Sequence, residues 1–458
     1  MKRLQILFII LTFLTNLALA QVAADAIRIQ AEEEGFGART LAMGGNGVAA
    51  ARDYSTVYWN PAGLASLKKN EIFVDYSYKK WTNQATFAGT ITNSEQTYSH
   101  LRSIGLAVPL PTTRGSFVLG VGYNFVQDYD EYLRFEGFNT RSNRLGFELE
   151  DDQGNVDWYP FDKNVQQEEE IVDEGGLHQW SLGMALALSP NLDVGATVNL
   201  WRGKDNYRMK FNQWDTADNY SSFPGNYDSY QLHQHIDAEY SALGFKVGAM
   251  YKLNPYIRLG GSVEFPIRFT VKENYGSGDI LTFDDGYQDA VEDEPGMWEY
   301  QVQTPYRFDG GIELGNETVH LTAAVTYRDW SETQFKVPEN ATLDADYSAL
   351  LEENSVIAET YRATLNYHLG GEIEFPGTSL AIRGGYSVHP SPLLQATEAM
   401  DKKFYSGGIG LDLGGGSRLE VTYIRGEWSR LSEDSYTPGG TMENIIDHRI
   451  FTGLRIAF

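Results

Sequence analysis

The sequence predicts an all-β fold: a fourteen-stranded antiparallel transmembrane β-barrel with an N-terminal hatch, or plug, inside its lumen. Three observations predict it. From residue 71 onward the chain alternates, with apolar and aromatic residues on one face and polar, charged or small ones on the other. The connections between these runs are short and long in strict alternation. The stretch before the first run, Gly35 to Ala65 (GFGARTLAMGGNGVAAARDYSTVYWNPAGLA), does not alternate and contains no long helical pattern.

Composition narrows the class. A hydrophobic content of 42% is too low for a bundle of membrane helices, each of which needs about 20 apolar residues. The chain has no cysteine, so disulfides and thiolate metal sites are excluded. A net charge of −26 argues against nucleic acid as a partner. Abundant Tyr, Phe and Gly at low overall hydropathy suit a barrel with an apolar exterior, a polar or small interior and aromatics at the interfaces.

The one long apolar run opens the chain. Lys2-Arg3 precedes Leu4 to Leu17, and Ala18-Leu19-Ala20 forms a small-residue cleavage site before Gln21. Residues 1–20 therefore read as a signal peptide for export, residues 21–70 as the hatch and residues 71–458 as the barrel. The glycines and alanines of Gly35–Ala51 permit close backbone packing in a confined lumen, and Asn60-Pro61 imposes a non-helical turn before the wall begins.

The wall is read by period two. In the last strand Ile450, Leu454, Ile456 and Phe458 share one face; Arg449, Gly453, Arg455 and Ala457 share the other. A water-filled lumen tolerates two arginines on an inner face, whereas the buried face of a two-layer sheet does not. The same pattern opens with Ile72, Val74, Tyr76 and Tyr78. It recurs in Ile104–Val108, Phe117–Phe125, Trp180–Leu188, Leu192–Leu200, Leu243–Leu253, Ile257–Phe269 and Tyr306–Leu314. It continues through Val319–Tyr327, Tyr361–Leu369, Leu380–Val388, Tyr405–Leu413 and Leu419–Tyr423. Short turns at Pro111–Arg114, Ser189-Pro190, Asn254-Pro255, Gly315-Asn316, Phe375–Gly377 and Gly414–Gly416 carry Pro, Gly or Asn. Between them lie long polar loops at 82–98, 129–175, 206–238, 273–303, 331–358, 391–401 and 431–447. Short turns on one side and long loops on the other are the plan of an outer-membrane barrel, and closure hides the sheet edges from lipid. The excess acid lies in the loops, as at Glu148–Asp152 and Asp284–Glu294, and reads as solvated surface.

The pattern A-R-x-L-A-M-G-G-x-x-V-A-x-A-x-D-x-S-x-x-Y-W-N-P-A-G-L-A, from Ala38 to Ala65, resembles the hatch of the outer-membrane long-chain fatty acid and hydrophobic-compound transporter family (FadL/TodX type). With the alternating wall and terminal Phe458, the resemblance spans nearly all of the exported chain. It implies passive passage of fatty acids or aromatic hydrocarbons through an apolar pocket beside the hatch. A kinked third strand would then release them sideways into the membrane. Gly44, Gly45, Asp53, Asn60, Pro61, Ala62 and Gly63 fall on the hatch motif. The third strand, Phe117–Gln127, offers Gly120, Gly122 and Asn124 for the kink. The same hatch occurs in relatives of another class, barrels of a secretion system that capture exported proteins; docking of a secreted or surface protein by the long loops is the alternative reading. The resemblance implies no enzyme activity and outer-membrane lipid as surroundings; no cofactor or metal is expected, and since a closed fourteen-stranded barrel needs no partner, a monomer is expected. The need for such a carrier is physical: moving an apolar solute out of water gains about 0.8 kcal/mol per CH₂.

Lys246, Arg307, Arg328, Arg362, Arg383, Arg449 and Arg455 fall on the inner face, with Asp193, Asp309, Glu313 and Glu420 as acidic counterparts. Arg307, Arg328, Arg362 and Arg383 are candidates to clamp a substrate carboxylate; lumen-filling ion pairs are the plainer reading. Trp201, Trp330 and Trp428, near strand ends, are expected in an interfacial girdle. Gly45-Asn46-Gly47-Val48-Ala49-Ala50 matches a dinucleotide fingerprint but lacks its strand and βαβ unit. His233 and His235 read as adventitious metal ligands in an acidic loop, and Ser387-Val388-His389 lacks a nucleophile-elbow motif.

Overall fold

The structure is a computed structural model, and it describes residues 23–30 and 34–458. The signal-peptide reading falls on residues outside this range. Fourteen wall strands follow one another around a closed antiparallel barrel. They are Glu71–Phe87, Thr90–Leu110, Phe117–Asp128, Val165–Ala187, Leu192–Trp214 and Tyr227–Asn254; a seventh in two pieces, Ile257–Glu264 and Arg268–Phe283; and an eighth in two pieces, Gly296–Gln303 and Arg307–Gly315. The rest are Val319–Asp329, Ala363–Glu374, Leu380–His389, Lys402–Gly414, Ser417–Ser432 and Thr441–Ala457. Strand one pairs with strand fourteen from Glu71↔Ala457 to Thr86↔Met442, and this closes the ring.

The period-two reading assigns the faces. On strand four Trp180, Leu182, Met184, Leu186 and Leu188 are exposed on the outside, as are Leu243, Phe245 and Val247 on strand six. Their neighbours in sequence, such as Ser181 and Lys246, are buried inside. No described helix is long and apolar enough to cross a membrane; the apolar band is made by strands.

The long connections differ from the expectation. Residues 82–98 are not a loop: strands one and two continue through them to a tight turn at Ala88 and Gly89. Strand five extends to Trp214, and strand six starts at Tyr227. Within 129–175, Glu131–Asn139 pairs with strand four, and Gly146–Glu150 pairs with Val156–Pro160 as a separate ribbon. Period two was lost here because the apolar residues, such as Met209, Phe211, Tyr230 and Leu232, turn inward and are interspersed with polar ones, while the outer face is polar. Cross-strand ion pairs such as Arg208–Asp237 (2.7 Å) and Lys204–Glu239 (2.9 Å) line their outer side. Residues 345–360 of the expected 331–358 loop form a helix, Ala345–Thr360, capped by Asp344, whose side chain accepts from the Tyr347 amide. It contains neither Gly nor Pro, and its buried residues Leu350, Glu353 and Ile357 recur at helical spacing.

The N-terminal segment lies in the lumen. Residues 23–30 are helical; short helices Ala38–Ala42 and Thr56–Trp59 and a 3₁₀ turn Pro61–Ser66 follow. Phe36, Tyr54, Tyr58 and Trp59 form a buried aromatic centre, with Tyr54 and Phe36 reaching Phe73 of strand one.

Candidate functional site: the hatch seat and the adjoining cavity

The hatch is a chain of tight turns, and its backbone groups need partners that a helix or sheet would otherwise supply. The wall supplies many of them with side chains. Thr422 Oγ1 donates to Ala38 O (2.6 Å), Ser406 Oγ to Ala42 O (3.0 Å), Thr197 Oγ1 to Val57 O (3.0 Å) and Lys246 Nζ to Tyr58 O (2.8 Å). In the other direction the Gly37 amide donates to Asp75 (2.8 Å) and the Tyr54 amide to Glu71 (2.6 Å).

The motif residues sit at the closest contacts. Asn60 Nδ2 donates to Val48 O (2.8 Å) within the hatch and to Ala249 O (3.0 Å) on strand six, while its Oδ1 accepts from the Ala62 amide (3.1 Å). It thereby caps the 3₁₀ turn, with Pro61 first in that turn, where the missing N–H costs nothing. Asp53 Oδ1 accepts from the Ser55 amide (2.9 Å) and hydroxyl at the entrance to the second short helix. Gly44 has φ +85° and Gly45 +74°; a Cβ on Gly44 would stand 2.6 Å from Leu369 O of strand ten. Ala62 is fully buried, and a Cβ on Gly63 would meet Thr56 at 2.7 Å.

The wall answers with glycines that sequence reading did not single out. A Cβ at Gly248 would lie 2.0 Å from Asn60 Oδ1, one at Gly260 2.1 Å from Val48 O, and one at Gly370 2.2 Å from Met43 O. The signal was available: inward-facing glycines recur on strand after strand near mid-height. Gly120 and Gly122, expected to kink strand three, belong to this set. They face Leu64 and Tyr54 of the hatch, and with Asn124 they pair in unbroken register with strand two.

The break in strand three lies further on. Its ladder with strand two ends at Ser103↔Asn124, and its register with strand four slips between Phe125 and Gln127. The following segment, Glu131–Asn139, stays with strand four, while strand two from Thr90 to Leu101 pairs with strand one alone. The backbone ladder therefore stops between the outer halves of strands two and three, and this seam is crossed by side chains alone: Tyr98 Oη donates to Glu131 O (3.1 Å) and Thr92 Oγ1 accepts from the Glu136 amide (3.3 Å). Arg102 stands at it, bulged out of the strand-one register, and binds Asp128 (2.7 Å) and Glu34 (2.9 Å).

Glu34 also pairs with Arg449, and both line a cavity of about 90 Å³ between the hatch and strands eight to fourteen. Trp59, Trp330, Phe404 and Phe451 are its aromatic walls; Gln30, Arg307, Arg328, His368 and His389 are polar. The four arginine candidates separate here. Arg307 and Arg328 line the cavity, Arg307 bound to Asp309 (3.1 Å) and Arg328 donating to Gln30 O (3.0 Å) over the Trp330 ring. Arg383 lies elsewhere, between Glu372 and Glu420, and Arg362 donates to Ser391 O (3.2 Å). Inner-face ion pairs also tie the hatch down, Arg39 to Glu372 and Arg52 to Glu313, both at 2.6 Å.

The arrangement is thus a plugged barrel with a mixed aromatic and polar cavity and a seam in its wall. No family model matches the sequence, and no curated protein matches it. Solved structures do. The Pseudomonas putida toluene transporter TodX matches over 93% of this chain and 99% of its own, at TM-score 0.59 and 13% identity. A Pseudomonas aeruginosa FadL homologue matches over 91% and 98%, at TM-score 0.57 and 14% identity. The Ralstonia pickettii toluene transporter TbuX matches over 93% and 99%, at TM-score 0.53 and 15% identity. This chain shares their fold.

Other readings are corrected. Trp201, Trp330 and Trp428 are not in an outer girdle: all are buried, Trp201 against Phe269 and Trp428 against Trp81. Trp201 follows the outward Leu200 by one residue, so the pleat turns it inward. Outward tyrosines, among them Tyr78, Tyr405 and Tyr423, are exposed instead. His233 and His235 lie within strand six, not in a loop, and no group of three or more His, Cys, Asp or Glu among the described residues is placed to hold a metal.

Proposed function

We propose that this protein resides in the outer membrane as a monomeric, passive channel for hydrophobic small molecules. Solute enters from the loop side, rests in the cavity beside the hatch and leaves through the seam between strands two and three. The seam carries the reading: the ladder between strands two and three stops at Ser103↔Asn124 while strand two runs on to Thr90, beside a lumen that holds the hatch. Apolar solute would exchange the cavity's aromatic walls for lipid without crossing water, and no covalent step is needed. The toluene transporters of the same fold lend support. Fatty acids belong to the same proposal only as a candidate cargo, since the cavity is short for an extended acyl chain.

Deleting Val126, the residue at the register slip, should let strand three continue in register and close the seam. Uptake of radiolabelled toluene into proteoliposomes should then fall to the level of empty vesicles, with the barrel still folded by heat-modifiable gel mobility. Undiminished uptake through the deletion variant would sink the lateral route.

A further inference from the structure

The cavity holds polar atoms that neither the hatch nor the wall uses. His368 Nδ1 lies 2.8 Å from Gly44 O. A carbonyl oxygen can only accept, so Nδ1 carries the proton and the neutral ring leaves Nε2 as a bare lone pair. His368 is 6% exposed, and its Nε2 has no hydrogen-bond partner. The same holds for Gln30 Nε2, a donor on a side chain that also lines the cavity. His389, whose ring packs 5.2 Å from that of His368, also has an Nε2 without a partner and lines the same cavity. Buried polar groups are normally satisfied, so two imidazole nitrogens and an amide donor left over around one cavity point to a ligand group that both accepts and donates. A group that both donates and accepts is a hydroxyl.

The surroundings define the rest. On the scale where one water needs about 10–15 Å³, the cavity of about 90 Å³ has room for one substituted ring and not for a long chain. Trp59, Trp330, Phe404 and Phe451 offer ring faces and edges to it. The cationic groups already have work: Arg449 binds Glu34 and Asp447, Arg307 binds Asp309, and Arg328 donates to Gln30 O and lies over the Trp330 ring. A carboxylate is therefore not called for. Among the described residues no third metal-ligating side chain joins the two imidazoles, and two alone make a poor metal site.

We infer that the cavity binds a small aromatic alcohol of the phenol class, its O–H donating to His368 and its oxygen accepting from Gln30. The inference rests on the transport reading and names its cargo more narrowly. It is tested on the purified full-length protein in amphipol, by calorimetric titration with phenol, toluene and benzoate. Phenol should bind about tenfold or more tighter than toluene, because a site built to hydrogen-bond a hydroxyl rejects the analogue that lacks it. Benzoate should bind no better than toluene. His368→Leu should abolish the preference by weakening phenol and sparing toluene. Because His368 also holds Gly44, Gln30→Leu serves as a second variant and should weaken phenol several-fold with the hatch contact untouched. Equal affinity for phenol and toluene, tightest binding of benzoate, or phenol affinity unchanged in both variants would overturn the assignment. Persistent toluene uptake with no phenol preference would remove this inference alone; loss of uptake on closing the seam tests the channel itself.

Discussion

Two regions fill space inside this barrel by opposite means. The hatch has its own aromatic centre packed on Phe73, but much of its seat on the wall is polar and close: wall side chains bind hatch carbonyls, glycines bring backbones together, and buried ion pairs such as Arg39–Glu372 pin the segment. On the loop side, Phe147, Phe161, Phe211, Tyr227, Tyr230 and Phe283 form an aromatic core between the ribbon 146–160 and the strand extensions. The difference follows from what surrounds each. The hatch is enclosed by a wall whose inner face is polar, so its exposed backbone sets the demand. The loops stand in water with no wall around them and must supply an apolar interior to stay ordered.

The largest expected effect separates the two. Glu372 is 1% exposed and binds both Arg39 of the hatch and Arg383 of the wall. Glu372→Ala leaves the buried Arg39 without its carboxylate and Arg383 with Glu420 alone, a loss of about 3–5 kcal/mol. The hatch should loosen, giving ion-conducting steps in planar bilayers that the parent protein lacks, while protease resistance of the loops stays the same. A silent, fully stable variant would mean that packing alone seats the hatch and that the contrast drawn above is false.

Phe161→Ala comes next. Phe161 is fully buried, stacked on Tyr227 at 4.9 Å and edge-on to Tyr220 at 5.1 Å. Truncation removes a large apolar side chain and leaves a cavity, costing about 3 kcal/mol. Thermolysin should cut within residues 140–165 far sooner, yet bilayers should stay non-conducting. Conduction in this variant would show that cap and hatch are one cooperative unit.

Much of the barrel was legible because its outer face is apolar strand after strand, so Trp180 to Leu188 and Ile450 announce their faces. The hatch motif was legible because Asn60-Pro61 and Gly44-Gly45 are turn chemistry. The rest obeyed other constraints. Beyond the apolar belt the outer face turns polar, so strands two, five and six run on through what reads as loop. The wall glycines are meaningful only once it is known what they face: Gly122 reads as a hinge until Tyr54 is placed against it. The cavity draws on hatch residues and on strands from eight to fourteen, and separation along the chain hides such convergence. Of the four arginines read as carboxylate clamps, closeness on the inner face could not tell Arg307 and Arg328 from Arg383, whose two carboxylate partners come from strands ten and thirteen.

The smallest effect probes the edge of the loop side, where the helix Ala345–Thr360 breaks the rule of an apolar cap. Its Glu353 is 6% exposed, and Oε2 has no hydrogen-bond partner. Loss of hydration raises its pKa above the ordinary 4.5. The sign follows: below about 4.5 the carboxyl is protonated folded or unfolded and costs nothing extra. As pH rises from there through the raised value, the unfolded form ionises first and the helix loses stability, and the penalty is complete above it. Glu353→Gln removes the charge and should stabilise the helix by about 1 kcal/mol at neutral pH, with little change at pH 4. Amide exchange across 345–360, corrected for intrinsic rates, should show protection falling with pH in the parent and staying level in the variant. Matching profiles would mean that the carboxylate finds a partner once ionised, and that this corner of the cap follows the polar logic of the hatch.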